Sequence, residues 1–221
     1  MRRERRILRT ALLVAMVVLP AAAIGADPSP WYAGAGIGRS DAKRPGSWAG
    51  QSDVLLRAQG ITSLTTVRSD DTGWKLFGGY QFNENLGVEV SYARLGKFSG
   101  TSAVSAPAAG TGTGAWDASA FGVAAVGFLP VYENRVTAIG KLGLAFTRLD
   151  VNLAAPRGGT MVVLNPSENR VGTLLGAGAQ IDLGKRFGIR AEYDYYNSVG
   201  DGSTIGQTAV AVWSLSGMFR F

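Results

Sequence analysis

The sequence predicts an all-β fold, an eight-stranded antiparallel transmembrane β-barrel built as an up-and-down meander. Three observations lead to this prediction. Apolar residues alternate with polar or small residues in eight segments, and this period of two is typical of strands with one apolar face. The connections between the segments are alternately short and long, as in transmembrane barrels. Aromatic residues concentrate near the segment ends, on the apolar face.

The first 26 residues have the three parts of a secretory signal peptide: a basic start, a short apolar run at residues 10–19 and an exit of small residues. An uncleaved membrane anchor is the alternative. A spanning helix needs roughly 20 apolar residues, however, and Pro20 interrupts this run. We therefore predict a signal peptide at residues 1–26, cleaved near Gly25–Ala26, followed by a barrel domain at residues 27–221.

Composition excludes several classes of function. The chain has 22 Lys and Arg residues against 16 Asp and Glu, but the first 26 residues hold five Arg and one Glu, which leaves 17 basic and 15 acidic residues. This near balance argues against a nucleic-acid partner. Cysteine and histidine are absent, so disulfides, thiolate metal sites and the commonest general base are excluded. No catalytic motif occurs, and we predict no enzyme activity and no cofactor, with a Ser–Lys or a carboxylate pair left formally open.

The first predicted strand, Trp31–Ser40, has aromatic and aliphatic residues on one face and a tyrosine with glycines on the other. The second, Thr72–Phe82, alternates in the same way and ends at a tight turn, Asn83–Asn85. The third, Leu86–Gly96, follows this turn directly. The fourth, Ala115–Leu129, ends at a further short turn, so these strands are expected to form antiparallel neighbours.

The remaining strands repeat the pattern. The fifth, Arg135–Asp150, and the sixth, Val171–Leu183, alternate aliphatic residues with glycine and polar residues. A turn at Gly184–Arg186 leads into the seventh, Phe187–Asn197. The eighth, Gln207–Phe221, alternates up to the last residue. A strand edge in an apolar environment must be paired, so we expect this closing strand to pair with the first and complete a ring.

Three connections are long: Asp41–Asp71, Lys97–Gly114 and Val151–Arg170. The second is rich in Ser, Ala, Gly and Thr and is predicted to be a mobile loop. The first contains an apolar stretch near residues 53–59, which indicates a short helix or a strand extension at the rim. We interpret the long loops as solvated segments, with binding of a host or environmental ligand as the alternative.

The distribution of polar residues distinguishes a membrane barrel from a soluble, lipocalin-like barrel. Charged residues share a face with most of the glycines, and aromatic residues lie near the strand ends of the other face. This arrangement predicts a barrel that is polar inside and apolar outside. The predicted aromatic girdle consists of Trp31, Trp74, Phe82, Phe187 and Trp213.

The charges of the polar face predict an interior cluster. Glu89 on the third strand and Arg190 on the seventh are four strands apart in a ring of eight, so they face one another across a narrow barrel. Lys141 and Glu192 point into the same interior. A buried charge needs a partner, so we interpret the four residues as a polar plug. The alternative is a narrow ion path that opens when the pairs exchange partners.

Several segments together resemble a known family, the transmembrane domain of OmpA-like outer-membrane proteins. They are Trp31–Gly38, Phe77–Asn83, Leu86–Tyr92, Lys141–Gly143, Arg190–Tyr195, Asn197–Gly206 and the terminal strand. The resemblance covers nearly all of residues 27–221. It implies an eight-stranded barrel in the outer membrane of a Gram-negative bacterium, reached with the help of periplasmic chaperones and the barrel assembly machinery.

The resemblance has consequences for individual residues. The aromatic end of the chain, Phe219 and Phe221, is similar to the signal that the assembly machinery recognises. Well-known members carry a peptidoglycan-binding domain after the barrel, and the sequence ends at Phe221, so only the barrel is expected. Members also have an interior lysine on the fourth strand, and the matching position here is Ala125, which implies a smaller charge cluster.

The expected function is structural: an integral outer-membrane protein that contacts lipids and lipopolysaccharide and presents loops outside the cell. Arginine and lysine at the rim are expected to contact the phosphates of lipopolysaccharide. A small pore for ions or apolar molecules and an adhesin acting through the long loops are the alternatives.

Overall fold

The computed structural model describes residues 29–132 and 135–221, so the predicted signal peptide lies outside the described residues. The described chain contains one helix and ten strands, in an all-β architecture. In chain order the elements are β1 (Trp31–Ala42), α1 (Pro45–Ala58), β2 (Thr62–Val67), β3 (Asp70–Gln81), β4 (Leu86–Ala106), β5 (Gly110–Tyr132), β6 (Val136–Arg157), β7 (Thr160–Leu164), β8 (Ser167–Asp182), β9 (Phe187–Val199) and β10 (Thr208–Arg220).

Eight of these strands form a closed antiparallel ring, in the order β4, β3, β1, β10, β9, β8, β6 and β5, and β5 pairs with β4 again. The predicted fold class is confirmed. The pairing of the closing strand with the first is also confirmed, since Ala33 lies opposite Phe219 and Ser40 lies opposite Val212. Every strand of this eight-stranded ring is therefore paired on both sides, as a membrane environment requires.

The short strands β2 and β7 continue the ring beyond the ends of β3 and β8. β2 pairs with the second half of β4, and the strand is interrupted at Arg68–Ser69 before β3 begins. β7 pairs with β6, and the break before β8 contains Pro166, which has no N–H group to donate to a sheet. At two of the eight strand positions of the ring the strand is therefore interrupted: β2 and β3 share one position, and β7 and β8 share the other.

Two predicted loops are strands in the structure. The segment Lys97–Gly114 is not a mobile loop but a β-hairpin, in which Phe98 lies opposite Trp116. Both of these aromatic side chains are fully buried, and their burial holds the small-residue strands together. The segment Val151–Arg170 likewise belongs mostly to β6, β7 and β8. The long connections are thus β-hairpins that extend the barrel.

The helix α1 occupies 14 residues of the first long connection, so of the two predicted alternatives, a short helix or a strand extension, the structure has the helix. Pro45 occupies its first turn, where a missing N–H group has no cost. Trp48, Ser52 and Leu56 follow one another at a spacing of four and are buried on one face. The helix ends before Gly60, whose φ of +74° suits a residue without Cβ.

Beyond the ring, β2, β7 and the far halves of β4, β5 and β6 form a curved sheet, and α1 packs on its inner face. We call this assembly the head. The rings of Trp48 and Phe98 lie 5.3 Å apart between helix and sheet. Leu56 packs in a second buried cluster with Ile61 and Val104. The helix therefore closes the long-loop end of the barrel.

The outer surface of the ring is apolar, as predicted. Leu142 is 63% exposed and Leu215 is 60% exposed, whereas Lys141, Ser214 and Ser216 beside them are buried on the inner face. The five residues of the predicted girdle all lie on this outer surface. Aromatic residues form two belts: Trp31, Tyr80, Phe82, Phe187, Phe219 and Phe221 near the short turns, and Trp74, Tyr92, Phe121, Phe146, Tyr193 and Trp213 towards the head. The arrangement fits a lipid-facing band with an aromatic belt at each boundary.

No helix among the described residues is long and apolar enough to cross a bilayer.

Candidate functional site

The interior of the ring contains six charged side chains that contact one another, which we call the charge network. All six residues are buried, with at most 7% of each exposed. They come from four strands, because the inward positions of β3, β4, β6 and β9 meet at the same height. Three are basic and three are acidic, so their formal charges cancel. The members are Lys75, Glu89, Lys141, Arg190, Glu192 and Asp194.

The ion pairs connect these residues in one continuous chain. The Nη1 atom of Arg190 lies 2.7 Å from Oε2 of Glu89, and Nζ of Lys141 lies 2.6 Å from the other oxygen of that carboxylate. Lys141 also pairs with Glu192, which pairs in turn with Lys75. Lys75 Nζ lies 2.6 Å from Asp194 Oδ2 at the end of the chain. Each charge has at least one opposite partner, which a buried ion requires.

Neutral groups complete the coordination of the network. Gln180 Oε1 accepts hydrogen bonds from Nε and Nη2 of Arg190, at 3.2 and 3.0 Å. The Tyr32 hydroxyl donates to Glu89 at 3.2 Å. The ring of Phe77 lies 4.8 Å from the guanidinium carbon of Arg190 and 5.6 Å from each lysine Nζ of the network. The negative face of an aromatic ring attracts cations, so Phe77 adds to their stabilisation.

The structure brings together all four residues of the predicted cluster, and Glu89 contacts Arg190 directly across the barrel. Sequence reasoning missed Lys75 and Asp194 as members. Asp194 already lay on the predicted inner face of its strand. Lys75 alternates with Gly73 and Phe77 on the inner face of β3, and that alternation was the available sign.

The prediction that Ala125 occupies the position of the interior lysine of the OmpA-like family was wrong. The side chain of Ala125 is exposed on the outer surface, and its buried neighbour Ala124 faces inwards, opposite Glu89. β5 carries small residues on both faces, so its inner face could not be identified from residue size. The network is not depleted of cations, because Lys75 supplies one from another strand.

Apolar clusters lie on both sides of the network along the barrel axis. On the side of the short turns, a buried cluster fills the barrel with Tyr32, Phe77, Val126, Phe128, Ile139 and Met218. On the side of the head, a larger cluster includes Trp48 of α1 together with Phe98, Trp116 and Leu149. Beside the first cluster, Gln180 donates a hydrogen bond to Asp182 at 2.7 Å, and Asp182 pairs with Arg220 at 3.3 Å. Polar side chains therefore continue from the network towards the short turns along one side of the inner wall.

The outer surface just beyond the second aromatic belt is charged. Arg94 and Asp117 pair at 2.6 Å, and Arg148 and Asp150 pair at 2.9 Å. Beside the start of α1, the hydrogen bond from Lys43 to the Asp41 carboxylate raises the pKa of that lysine.

A polar pocket of about 370 Å³ lies at the interruption between β2 and β3. Its lining consists of Arg39, Arg68, Asp70, Asp71, Thr72, Lys97 and Ser99. Within the described residues no cluster of acidic side chains suits a metal ion.

Comparison with known proteins agrees with this architecture. The model of a protein family described as the OmpA-like transmembrane domain matches residues 26–221. The chain belongs to this family. Outer membrane protein A of Serratia marcescens is 28% identical over 205 residues, which cover 90% of this chain and 52% of that protein. The chain spans about half the length of the curated relatives it matches.

Two solved structures have a similar fold. Neisserial surface protein A has a TM-score of 0.55 at 17% identity, over 89% of this chain and all of that one. OprG from Pseudomonas aeruginosa has a TM-score of 0.55 at 16% identity, over 88% of this chain and 97% of that one. Membership of the OmpA-like family and the apolar outer surface place the protein in the bacterial outer membrane. In such barrels the short turns face the periplasm and the long connections face outwards.

The predicted assembly signal of this OmpA-like chain lies at the periplasmic belt. The rings of Phe219 and Phe221 lie 5.2 Å apart, and Phe219 also contacts Phe187. The backbone N–H of Phe221 donates to the carbonyl of Trp31 at 3.2 Å, so the last residue is held against the first strand. Its role in assembly stays a prediction, which insertion assays on a chain without Phe221 would test.

Proposed function

We propose that the protein is a closed structural barrel of the outer membrane, which anchors a folded head outside the cell. The observation that carries this proposal is the buried, charge-balanced network of ion pairs that fills the barrel interior, with an apolar cluster on each side. An ion crossing the barrel would have to lose its hydration in the narrow interior and break at least one buried ion pair of the network. Both steps are costly in a low-dielectric interior. The interior therefore suits a rigid plug, and no catalytic role is proposed for its residues.

The geometry of the hairpins supports the second half of the proposal. β4 continues for fourteen residues from Tyr92 in the outer belt to Ala106. At roughly 3.3 Å per residue this corresponds to about 45 Å of strand beyond the belt. The head has its own buried clusters, which include Trp48, Leu56 and Trp116. Such a head stays folded above the membrane surface and presents a fixed surface to the medium.

Conductance in planar bilayers tests whether the barrel is closed. We expect the purified wild-type protein to give no potassium chloride current, because the network and the apolar clusters on each side of it block the interior. Glu89→Ala and Arg190→Ala each remove one side of the central ion pair, whereas Glu84→Ala changes an exposed turn residue and serves as the control. The proposal of a closed barrel would be wrong if the wild-type protein gave steady channels whose conductance changed in the two interior variants but not in the control. The protein would then be a gated pore.

We further propose that the polar pocket at the strand break contacts phosphate groups of lipopolysaccharide. Thr72 in its lining is two residues beyond Trp74 of the outer belt, so the pocket lies at the height of the lipid head groups. Arg39 already pairs with Asp70 at 3.0 Å. Arg68 and Lys97 bring further cationic groups, which bind phosphate through charge-assisted hydrogen bonds.

Thermal unfolding in detergent, with and without added lipopolysaccharide, measures this contact. We expect lipopolysaccharide to raise the unfolding temperature of the wild type and to raise that of the double variant Arg68→Ser/Lys97→Ser less, because the variant loses two phosphate contacts. The double variant Arg135→Ser/Lys185→Ser removes the same charge at the periplasmic rim and should behave as the wild type. An equal response of all three proteins would contradict a specific contact at the pocket.

A further inference from the structure

The curved sheet of the head has two lateral edges, which differ in how they are covered. On one side the sheet ends in β2 and on the other in β7. At β2, Asp53 of α1 accepts hydrogen bonds from the backbone N–H of Thr65 at 3.1 Å and from the hydroxyls of Ser63 and Thr65 at 2.7 Å. Within residues 29–132 and 135–221, β7 pairs with β6 alone. Its second edge is therefore open, whereas sheet edges in native proteins are usually protected.

The backbone groups that point to this open edge belong to Met161 and Val163. β6 and β7 are joined by a two-residue turn, Gly158–Gly159, with φ values of +55° and +87°. Opposite residues of an antiparallel hairpin alternate between pairs that exchange two hydrogen bonds and pairs that exchange none. Pro156 lies opposite Met161 and has no N–H group, so this pair exchanges none. The N–H and C=O groups of Met161, and by the same alternation those of Val163, point away from β6.

The side chains of the same two residues face the outside of the head. Met161 and Val163 are each 59% exposed. The alternate residues, Val162 and Leu164, pack inwards beside the buried cluster that contains Leu56 of α1. β7 has no charged residue, and a Cβ atom added to either glycine of the turn before it would meet no atom within 4 Å. Neither like charges nor bulky side chains therefore hinder the approach of another strand.

The open edge of β7 is complementary to the same edge of a second copy. When two such strands pair antiparallel about a two-fold axis through Val162, Met161 of each copy lies opposite Val163 of the other. Both residues present one N–H and one C=O group to the edge, so the two pairs exchange four backbone hydrogen bonds. The exposed side chains of Met161 and Val163 also lie beside each other across the axis and bury one another. The head sheet then continues from one protein into the next.

The membrane determines where such a second copy lies. β6 runs outwards from Val136 at the periplasmic end to Arg157 at the tip of the head, so β7 runs back towards the membrane. Barrel strands are tilted by about 35–45° from the membrane normal. Two copies in one membrane both direct β7 towards it, so the two strands cross at no more than twice this tilt, about 90°, and are never antiparallel. An antiparallel partner therefore has its barrel in a second membrane that faces the first.

We propose that the open edge of β7 pairs with the same edge of a second copy in a facing outer membrane, and so joins two cells. Strands that extend about 45 Å beyond the outer belt raise each head by about 35 Å at this tilt. Overlap along the five residues of β7 holds the two membranes about 55 Å apart. One such contact is weak, but two facing membranes form many of them at once. The inference rests on the head lying outside the cell and gives the head a partner.

Clustering of proteoliposomes tests the proposal. The protein is reconstituted into phosphatidylcholine vesicles that carry one of two fluorescent dyes, and light scattering and two-colour microscopy report the clusters. We expect wild-type vesicles to scatter several-fold more light than protein-free vesicles, with both dyes in each cluster. Wild-type vesicles that stay dispersed would overturn the proposal and leave the edge to an extended segment of another protein. Equal clustering of wild-type vesicles with protein-free vesicles would also overturn it, since the head would then bind lipid.

Exchange of charges at the edge tests the pairing itself. Because Met161 of one copy faces Val163 of the other, the variant Met161→Lys/Val163→Lys repels itself, as does Met161→Glu/Val163→Glu. Vesicles with either variant should stay dispersed alone, and a mixture of the two should cluster because lysine then faces glutamate. The control Leu64→Lys/Thr66→Lys adds the same charge to exposed residues of β2 and should cluster as the wild type does. Undiminished clustering of the lysine edge variant, or a mixture that stays dispersed, would contradict the pairing.

Two checks keep this inference separate from folding defects and from the closed-barrel proposal. Faster migration of unboiled protein on gels shows that a variant is folded. If a charged variant is not, Val163→Pro removes one N–H group from the open edge without removing a bond to β6, and undiminished clustering of this variant would count against the proposal. Potassium chloride current from the wild type would end the closed-barrel proposal, whereas the clustering of vesicles does not depend on it.

Discussion

Replacing Glu89 with alanine is expected to lower the free energy of unfolding by about 3–5 kcal/mol, the usual cost of removing one partner from a buried ion pair. Glu89 accepts contacts from Arg190, Lys141 and Tyr32. Its loss leaves Arg190 with only the more distant carboxylate of Glu192, 3.8 Å away. Urea unfolding in lipid vesicles, followed by tryptophan fluorescence, measures the change.

The control for this experiment is Glu84→Ala, which removes the same side chain from an exposed turn and should change stability by no more than about 0.5 kcal/mol. Replacing Glu89 and Arg190 together by leucine and methionine should cost less than Glu89→Ala alone, because no unpaired charge remains between them. If Glu89→Ala unfolds at the urea concentration of the wild type, the network is not a stabilising plug.

Replacing Trp48 with alanine is expected to have a comparable effect that is confined to the head. Truncating a buried tryptophan typically costs about 3–5 kcal/mol. Trp48 is the fully buried contact of α1 with Phe98, so its loss should release the helix from the curved sheet. Limited proteolysis of the protein in vesicles should then cut within residues 43–61, where the wild type resists.

Val54→Ala is the matched control on the same helix, since Val54 is 55% exposed and loses little contact on truncation. The Trp48→Ala variant should still give no potassium chloride current, because the charge network and the apolar cluster near the short turns do not contact α1. Potassium chloride conductance appearing together with the new cleavage would show that α1 alone closes the barrel.

The strands of the membrane band were predictable because one face of each contacts lipid and the other lines the interior. That contrast places Leu142 outside and Lys141 inside without further knowledge. The ring closure followed from the need to pair a strand that alternates up to its last residue. The inward-facing charged residues of β4, β6 and β9 could be predicted from the sequence for the same reason.

The head was not predictable in the same way, because both faces of the hairpin between β4 and β5 carry mostly small or polar residues. Residues 99–103 show little contrast between faces, and only Phe98, Val104 and Trp116 mark the buried side. Their partner is a helix, and a sequence pattern does not reveal which distant segment covers a sheet. The alternation on β3 already indicated that Lys75 faces inwards, but its contacts with Glu192 and Asp194 depend on strand register, which is set by the three-dimensional pairing.

The seam between β1 and β10 joins the first strand of the barrel to the last, since Ala33 lies opposite Phe219. The other pairings of the ring lie much closer along the chain, and several are hairpins. The seam is therefore the contact with the highest entropic cost of closure, and we infer that it forms last. Until then, two edges remain able to pair with other chains, so the newly exported protein is most prone to aggregate just before the ring closes.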